Sequence, residues 1–187
     1  MIQRQGDWME TYTGKAFWPL DPLPGDVDIK DIAHALSMQC RFGGHSKIFY
    51  SVAEHSILVA EELAIAGYDK TIQLYGLLHD ASEAYVCDVP RPLKEQIPNY
   101  REIEARVQNT IYEALGIPAP TEQQKTAVKV YDDNLLAYEG RVIMNDINNW
   151  TANFGRFYPL GRTSLGMNPE KAKKEFLKLF LTLKNDL

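Results

Sequence analysis

The stretch from Leu74 to Tyr85, LYGLLHDASEAY, places an imidazole and two carboxylates directly after an apolar turn. Its polar groups belong to His79, Asp80 and Glu83. On a regular helix His79 and Glu83 share a face, and Asp80 is turned by about 100° from His79 yet can reach the same point. Unpaired carboxylates on a central helix are costly to keep charged. A divalent cation would supply the missing positive charge, so this stretch predicts metal-assisted chemistry.

Two further polar residues lie on the apolar faces of other predicted helices. His55 belongs to the apolar run that begins at Ser51, and Asp132 stands between Val128 and Leu136 at helical spacing. Alone, His55 could be a buried histidine with one hydrogen bond, and Asp132 could pair with a buried arginine or cap a helix. Together with the first pair they form a set of two imidazoles and two carboxylates on three helices. Such a mixed set suits Zn, Mn, Fe, Co or Ni.

The order of these residues resembles the H…HD…D signature of the HD-domain metal-dependent phosphohydrolases. The resemblance rests on the runs YSVAEHS, LLHDASEAYVCDVPRPLK and VKVYDDNLLAYE, and it covers about residues 15–145. Within that family the chain is similar to the 5′-deoxynucleotidase branch and to relatives that act on nucleoside triphosphates. The resemblance implies an all-α HD-domain helical bundle and metal-dependent hydrolysis of nucleotide phosphoesters.

The resemblance also implies a ligand set for one divalent metal ion. The ligands would be His55, His79, Asp80 and Asp132, with Asp133 as the rival for the last position. The spacing after the VK pair favours Asp132. The metal would be Zn, Mn, Co, Fe, Ni or Mg, and the substrate could carry a second Mg²⁺.

Catalytic and substrate roles follow by the same resemblance. Glu83 would be the general acid or base beside the metal, and Asp80 would serve catalysis as a ligand. The residues assigned to substrate binding are Arg41, Phe42, His45, Asp88 and Lys94. The corresponding aromatic in the nucleotidases is Trp, so Phe42 departs from the pattern and leaves the base and sugar preference open. His45 is added because it follows a Gly-Gly pair that permits close backbone approach to a ligand.

The predicted substrate is a small nucleotide, and deoxynucleoside 5′-monophosphates are the leading class. The alternative is release of triphosphate from a nucleoside triphosphate, to which Arg156 and Arg162 of NFGRFYPLGR could contribute. A sensor without turnover is more distant, because the ligand set and Glu83 are both present. A di-iron oxygenase is disfavoured because the chain has four histidines and His34 is the only spare one.

Helical periodicity predicts an all-α single domain, 1–187, of about six or seven helices. An arm over 1–28, with aromatic anchors Trp8, Tyr12, Phe17 and Trp18, packs on it, and no run reads as a strand. Predicted helices cover 29–37, 52–67, 71–86, 100–115, 122–144 and the chain from 169 onwards, with at most a helical turn in DVPRPLKEQIP and an irregular stretch over 146–167. The predicted caps are Asp28, Asp69 and two capping boxes, Ser51 with Glu54 and Thr121 with Gln124.

Composition excludes several classes of protein. The chain has 187 residues, a net charge of −5 and 45% hydrophobic residues, which predicts one domain with a core and no nucleic-acid polymer as partner. No apolar run approaches the roughly 18 residues that a membrane span needs, and the first residues do not resemble a secretory signal. Cys40 and Cys87 are expected to be unpaired thiols in a cytoplasmic protein. The amphipathic C-terminal helix could cap the core or support a homo-oligomer.

Overall fold

The computed structural model of the chain describes residues 4–146 and 164–185. The helices within these residues are α1 (Ile29–Met38), α2 (Val52–Ile65), α3 (Lys70–Leu78), α4 (Glu83–Val86), α5 (Arg91–Lys94), α6 (Tyr100–Ala114), α7 (Glu122–Ile143) and α8 (Pro169–Asn185). The fold is an all-α bundle, as the sequence predicts. None of these helices is both long enough and apolar enough to cross a lipid bilayer.

A two-stranded hairpin in the arm was not predicted. The strands β1 (Met9–Glu10) and β2 (Ala16–Phe17) pair antiparallel. The turn between them is closed by Gly14, whose φ of 81° suits glycine and whose N–H donates to the Thr11 carbonyl. Strands of two residues are too short to show the alternation of polar and apolar residues by which a strand is recognised.

Helix α2 is the centre of the bundle and packs against α1, α3, α7 and α8. Its residues from Val52 to Ala60 are all buried, so it has no solvent face over that stretch. Gly76 lets α3 approach it closely, because a Cβ at that position would lie 2.5 Å from Cδ1 of Leu63. This close packing brings the end of α3 next to His55 of α2.

Three predicted caps are formed as expected. The carboxylates of Asp28 and Asp69 accept backbone N–H groups of the first turns of α1 and α3. Thr121 and Gln124 form the reciprocal capping box that begins α7. These caps satisfy N–H groups that have no partner within the helix, and they fix where α1, α3 and α7 begin.

The capping box predicted for α2 is only half formed. The Ser51 hydroxyl accepts the Glu54 N–H at 3.1 Å, but the Glu54 carboxylate turns inward and is fully buried. It accepts the backbone N–H groups of Gly166 and Met167, at 2.9 Å and 2.8 Å. Glu54 therefore anchors the segment that enters α8 to the start of α2, one residue before His55.

The arm packs through some of its predicted anchors only. Phe17 is fully buried and stacks on Tyr85, with ring centroids 3.8 Å apart. Trp18 is half-buried beneath the guanidinium of Arg4. Trp8 and Tyr12 remain 52% and 58% exposed, although Tyr12 lies against α8, with Nζ of Lys173 3.8 Å from its ring centroid.

The irregular stretch predicted before the last helix lies mostly outside the described residues, which resume at 164. Residues 164–168 carry no regular structure, and Asn168 caps α8 by accepting the Lys171 N–H at 2.8 Å. Cys40 and Cys87 are unpaired thiols, as expected.

Candidate metal centre and its pocket

The predicted continuous helix over 71–86 is wrong at its centre. Helix α3 ends at Leu78, and α4 begins at Glu83. The backbone between them keeps right-handed helical angles at His79, with φ −61° and ψ −33°. It tightens, however, to bonds between residues three apart, such as the 3.0 Å bond from the Glu83 N–H to the Asp80 carbonyl.

A side chain from α6 causes this interruption. In a continuous α-helix the Ser82 N–H would donate to the Leu78 carbonyl. Instead Gln108 stands between the two groups: its Nε2 donates to Leu78 at 2.8 Å, and its Oε1 accepts from Ser82 at 2.9 Å. A side chain inserted into the hydrogen-bond ladder is a recognised cause of helix distortion. The distortion lies at the His79-Asp80 pair, where it decides how the two side chains point.

The predicted histidines and carboxylates converge at this point. Nε2 of His55 lies 3.3 Å from Nε2 of His79, and Nε2 of His79 lies 3.1 Å from Oδ2 of Asp80. One ligand atom from each of His55, His79 and Asp80 falls within 4.8 Å of the others, so this group could hold a metal ion. Two imidazole nitrogens and a carboxylate oxygen form a donor set that suits a divalent transition metal.

Asp132, and not its neighbour, faces this cluster. Its Oδ1 lies 3.2 Å from Nε2 of His55 and 3.9 Å from Nε2 of His79. Asp133 is 44% exposed and pairs with Lys129 and Arg91. The geometry therefore favours Asp132 as the fourth ligand, and its ligation of a metal stays a prediction.

Sequence reasoning missed one central residue of the cluster, Glu139. Its carboxylate is fully buried on α7, and Oε1 lies 2.6 Å from Nδ1 of His55. It also accepts the Tyr50 hydroxyl at 2.7 Å and Nε of Arg41 at 3.2 Å. Its signal in the sequence is its position seven residues after Asp132, which places both carboxylates on one face of a helix.

Charge interactions at the cluster favour ionised carboxylates at Asp80 and Asp132. Burial raises the pKa of Asp80, but the charge and hydrogen bond of His79 outweigh it and bring that pKa to about 2. Burial also opposes ionisation of Asp132, but the hydrogen bond from His55 and the charge of His79 lower its pKa well below the usual range. The centre of the cluster is thus an environment that stabilises positive charge.

The pKa of His55 is also set by burial acting against nearby charges and hydrogen bonds, and here the net shift is upward. Burial and the nearby charge of Arg41 lower its pKa. The charge of Glu139 and hydrogen bonds to Asp132 and Glu139 outweigh them and raise the pKa to about 9. A cation at Nε2 would have to replace a firmly held proton.

Glu83, the predicted general acid or base, is buried beside the cluster. Its Oε1 lies 3.4 Å from Nζ of Lys94, while its buried Oε2 has no hydrogen-bond partner among the described residues. Burial and the negative charges of Asp80 and Asp88 raise the pKa of Glu83 well above its usual range. A carboxyl group in this environment favours its protonated form and can donate a proton.

A pocket of about 480 Å³ opens onto the cluster. Its lining includes His79, Asp80 and Asp132 of the cluster together with Gln108 and Lys94. Tyr75 and Tyr112 add aromatic surface to its wall. The volume falls in the range of about 300–1,000 Å³ typical of small-molecule sites.

One of the residues predicted to bind substrate lines the pocket, and the others do not. Lys94 lines the pocket, where its ammonium group also binds Glu104 at 2.6 Å. Arg41 is buried behind the cluster, with Nη1 3.6 Å from Oδ2 of Asp80 and its guanidinium 5.5 Å from the Phe42 ring centroid. The pocket lining includes neither of these last two residues.

The loop positions predicted to contact substrate, His45 and Asp88, do not line the pocket. His45 is exposed at the end of the loop that follows Arg41. Asp88 is half-buried, and its N–H donates to the Gln39 side chain at 3.1 Å. The residue before it, Cys87, has a φ of 68° and a ψ of 155°, a strained conformation for any residue but glycine. Substrate contacts by His45 and Asp88 stay predictions.

Two further hypotheses from the sequence concern His34 and the pair Arg156 and Arg162. His34, the spare histidine of the di-iron hypothesis, stacks on Tyr12 in the arm, with ring centroids 3.8 Å apart, and does not join the cluster. Arg156 and Arg162, considered for a longer phosphate chain, lie outside the described residues.

Comparison with known proteins gives two relatives that align over most of the chain. The chain is 36% identical over 144 residues to the uncharacterized protein YfdR of Escherichia coli, covering 76% of each chain. It is 37% identical over 131 residues to an uncharacterized protein of Rhodobacter capsulatus, covering 67% of each. No protein-family model matches the chain.

Proposed function

We propose that this chain, which belongs to the same family as YfdR of Escherichia coli, is a metal-dependent phosphohydrolase of the HD-domain type. The observation that carries the proposal is the convergence of His55, His79, Asp80 and Asp132, of which the last three line a pocket sized for a small molecule. These residues come from α2, the turn after α3 and α7, and they follow the order of the HD signature.

The four residues would hold one divalent cation. Bound there, such a cation activates water and polarises a phosphoryl oxygen. The chain's own contribution is to fix the ligands: His79 donates from Nδ1 to the Gly76 carbonyl at 2.8 Å, which leaves its Nε2 directed at the cluster.

Glu83 and Lys94 supply the remaining chemistry in this proposal. Glu83, with its raised pKa, would give a proton to the leaving oxygen. Lys94, which contacts Glu83 and lines the pocket, would meet the negative charge of the phosphoryl group. Lys94 lines the pocket, and Glu83 lies behind it in the sense that its Oε1 is 3.4 Å from Nζ of Lys94.

The charge of the pocket supports a monophosphate substrate. Its basic residues are already paired with carboxylates: Lys94 with Glu104, Arg101 with Glu95, Lys125 with Glu122 and Lys129 with Asp132. Little positive charge is left to neutralise a triphosphate. The proposed substrates are therefore nucleoside or deoxynucleoside 5′-monophosphates, with the two tyrosines of the wall beside the base.

The test measures phosphate and triphosphate release from a panel of nucleoside and deoxynucleoside mono- and triphosphates with Mg²⁺, Mn²⁺, Co²⁺ or Zn²⁺. Orthophosphate release from monophosphates, abolished by Asp80→Ala and retained by Asp133→Ala, is the expected result. Asp133 is the control because it is an aspartate adjacent to the candidate ligand Asp132 but pairs with Arg91 and Lys129 and faces away from the cluster.

Two other outcomes would change the proposal. Release of triphosphate would assign the chain to the triphosphohydrolases. No turnover by protein that demonstrably binds the metal would contradict the hydrolase proposal and favour a nucleotide sensor.

A further inference from the structure

We propose that Glu139 is a positioning residue that couples metal ligation to phosphate recognition through one buried carboxylate. Its Oε1 would fix His55 as a metal ligand, and its Oε2 would hold Arg41 beside the metal centre. The second half of this inference, the contact of Arg41 with phosphate, rests on the proposed function. Nothing in the sequence pattern or in the relatives assigns a role to Glu139.

The contacts of Glu139 divide cleanly between its two oxygens. Oε1 accepts the Tyr50 hydroxyl at 2.7 Å and lies 2.6 Å from Nδ1 of His55. Oε2 accepts Nε of Arg41 at 3.2 Å. The carboxylate, the phenol and the imidazole are fully buried, so water does not compete for these bonds.

Stability alone is a weak reason for this arrangement. A buried ion pair has to recover the cost of removing both charges from water, and well-packed apolar residues often do as well in its place. Glu139 and Arg41 are both buried, so this ion pair carries that cost. An ion pair that touches a candidate metal ligand at one end suggests that it serves the site.

The bond to His55 decides which ring nitrogen is available. Nδ1 donates its proton to Glu139, so the lone pair needed for a metal must be on Nε2. That nitrogen points at the cluster, 3.3 Å from Nε2 of His79 and 3.2 Å from Oδ1 of Asp132. Glu139 therefore selects the tautomer and orients the ring.

The bond to Arg41 decides which part of the guanidinium faces the centre. With Nε held by Glu139, the terminal nitrogens extend towards the ligands, and Nη1 lies 3.6 Å from Oδ2 of Asp80. A guanidinium beside a metal ligand is placed to bind an oxygen of a phosphoryl group that also contacts the metal. Arg41 would act from behind the cluster and not from the pocket wall.

The substitution Glu139→Gln separates the two halves of the proposal. The amide oxygen can take the place of Oε1 and still accept from His55 and Tyr50. The amide NH₂ then faces Nε of Arg41, so two donors oppose each other. Glu139→Leu removes the contacts with both His55 and Arg41. Tyr50→Phe removes one hydrogen bond to Glu139 and leaves the candidate metal ligands and Arg41 unchanged.

Three measurements decide the proposal in variants that circular dichroism shows to be folded. They are Zn²⁺ affinity by competition titration, the His55 tautomer from ring ¹⁵N shifts in Zn²⁺-loaded protein, and the affinity of Zn²⁺-loaded protein for inorganic phosphate. Glu139→Gln should keep the tautomer and keep Zn²⁺ affinity within about tenfold, but weaken phosphate binding by about tenfold or more. Glu139→Leu should weaken Zn²⁺ binding about 10–100-fold. Tyr50→Phe should resemble the wild type in all three.

Other results would overturn it. Equal phosphate affinity in the wild type and Glu139→Gln, including no measurable affinity in either, would refute the coupling to Arg41. Wild-type Zn²⁺ affinity in Glu139→Leu, or a changed His55 tautomer in Glu139→Gln, would refute the role at the metal. If Glu139→Leu does not fold, the comparison of Glu139→Gln with Tyr50→Phe still tests the coupling to Arg41 and the His55 tautomer. Zn²⁺ affinity and the tautomer need no substrate, so they remain informative even if no nucleotide is hydrolysed.

Discussion

The side chain of Gln108 donates to the carbonyl of Leu78 at 2.8 Å, and so occupies the place that a backbone N–H would have in a continuous helix. The displaced Ser82 N–H is satisfied by the same amide. A glutamine from a distant helix thus completes the backbone hydrogen bonds around the His79-Asp80 pair. Local backbone shape at the candidate metal centre depends on α6, which contributes no ligand.

Gln108→Leu should weaken both the metal centre and the fold. It leaves the Ser82 N–H without its partner and the Leu78 carbonyl with only the Ala81 N–H, at a cost of about 1–3 kcal/mol in the free energy of unfolding. It also allows the helix to regularise, which turns His79 and Asp80 apart, so Zn²⁺ affinity should fall. Chemical denaturation and metal titration measure the two effects. Asn109→Ala, at an exposed neighbouring position, is the control and should change neither. Unchanged Zn²⁺ affinity in Gln108→Leu would show that the interruption does not position the ligands.

Glu83→Gln should stabilise the metal-free protein while it reduces turnover. The substitution replaces a carboxyl whose pKa is raised by folding with an amide that does not ionise, which should contribute about 1 kcal/mol at neutral pH. Loss of a general acid typically lowers kcat by about 10²–10⁴-fold. Thermal unfolding and steady-state kinetics measure the two.

The stabilisation should depend on pH in a defined direction. Because folding raises the pKa of Glu83, its destabilising contribution is absent below the unfolded value of 4.5 and grows as the pH rises towards the folded value. The difference in Tm between Glu83→Gln and the wild type should therefore be small in acid and larger at neutral and alkaline pH. A difference that shrinks as the pH rises would contradict this assignment.

Metal affinity should increase with pH up to about pH 9. The pKa of His55 is raised to about 9, so a cation at its Nε2 displaces a proton throughout the neutral range. One displaced proton predicts an increase of about tenfold in affinity for each pH unit, with a plateau above the pKa. Calorimetry in buffers of different ionisation enthalpy counts the proton directly. Affinity that does not vary between pH 6 and 8 would contradict protonation of His55 in the free protein.

Cys87→Gly should stabilise the fold, in contrast to most substitutions by glycine. The φ of 68° and ψ of 155° at Cys87 cost a residue with a side chain about 1–3 kcal/mol, while glycine adopts them freely. Part of this gain is offset by the greater entropy of glycine in the unfolded chain, so a net gain of about 1 kcal/mol is expected. Cys40→Gly is the matched control, because Cys40 has a φ of −73°, and it should destabilise. Equal effects at both positions would show that Cys87 is not strained.

The predictable parts of the structure are those encoded locally. The caps Asp28, Asp69 and Thr121 lie next to the helices that they begin, and helical spacing showed that His55 and Asp132 point inward. These signals were sufficient for the all-α fold and for the residues that now lie together in the cluster.

The missed features depend on side chains that meet only in the folded chain. Gln108 interrupts a helix that precedes it by about 26 residues, and no local signal at Ser82 marks the interruption. Glu54 stands at the capping-box position three residues after Ser51. In the folded chain its buried carboxylate instead accepts the backbone N–H groups of Gly166 and Met167. Glu139 shares a helix face with Asp132, but its contact with the cluster is seen only from its 2.6 Å distance to Nδ1 of His55.

The candidate ligands are distributed over α2, the end of α3 and α7, and this distribution has a mechanical consequence. A cation held by His55, His79 and Asp132 would cross-link three segments that are far apart along the chain. Its binding free energy would then add to the free energy of unfolding, since the ligands converge only in the native bundle. Backbone amides of α7 near Asp132 should exchange with solvent more slowly once the cation is bound, because that helix could no longer separate from α2 without releasing it.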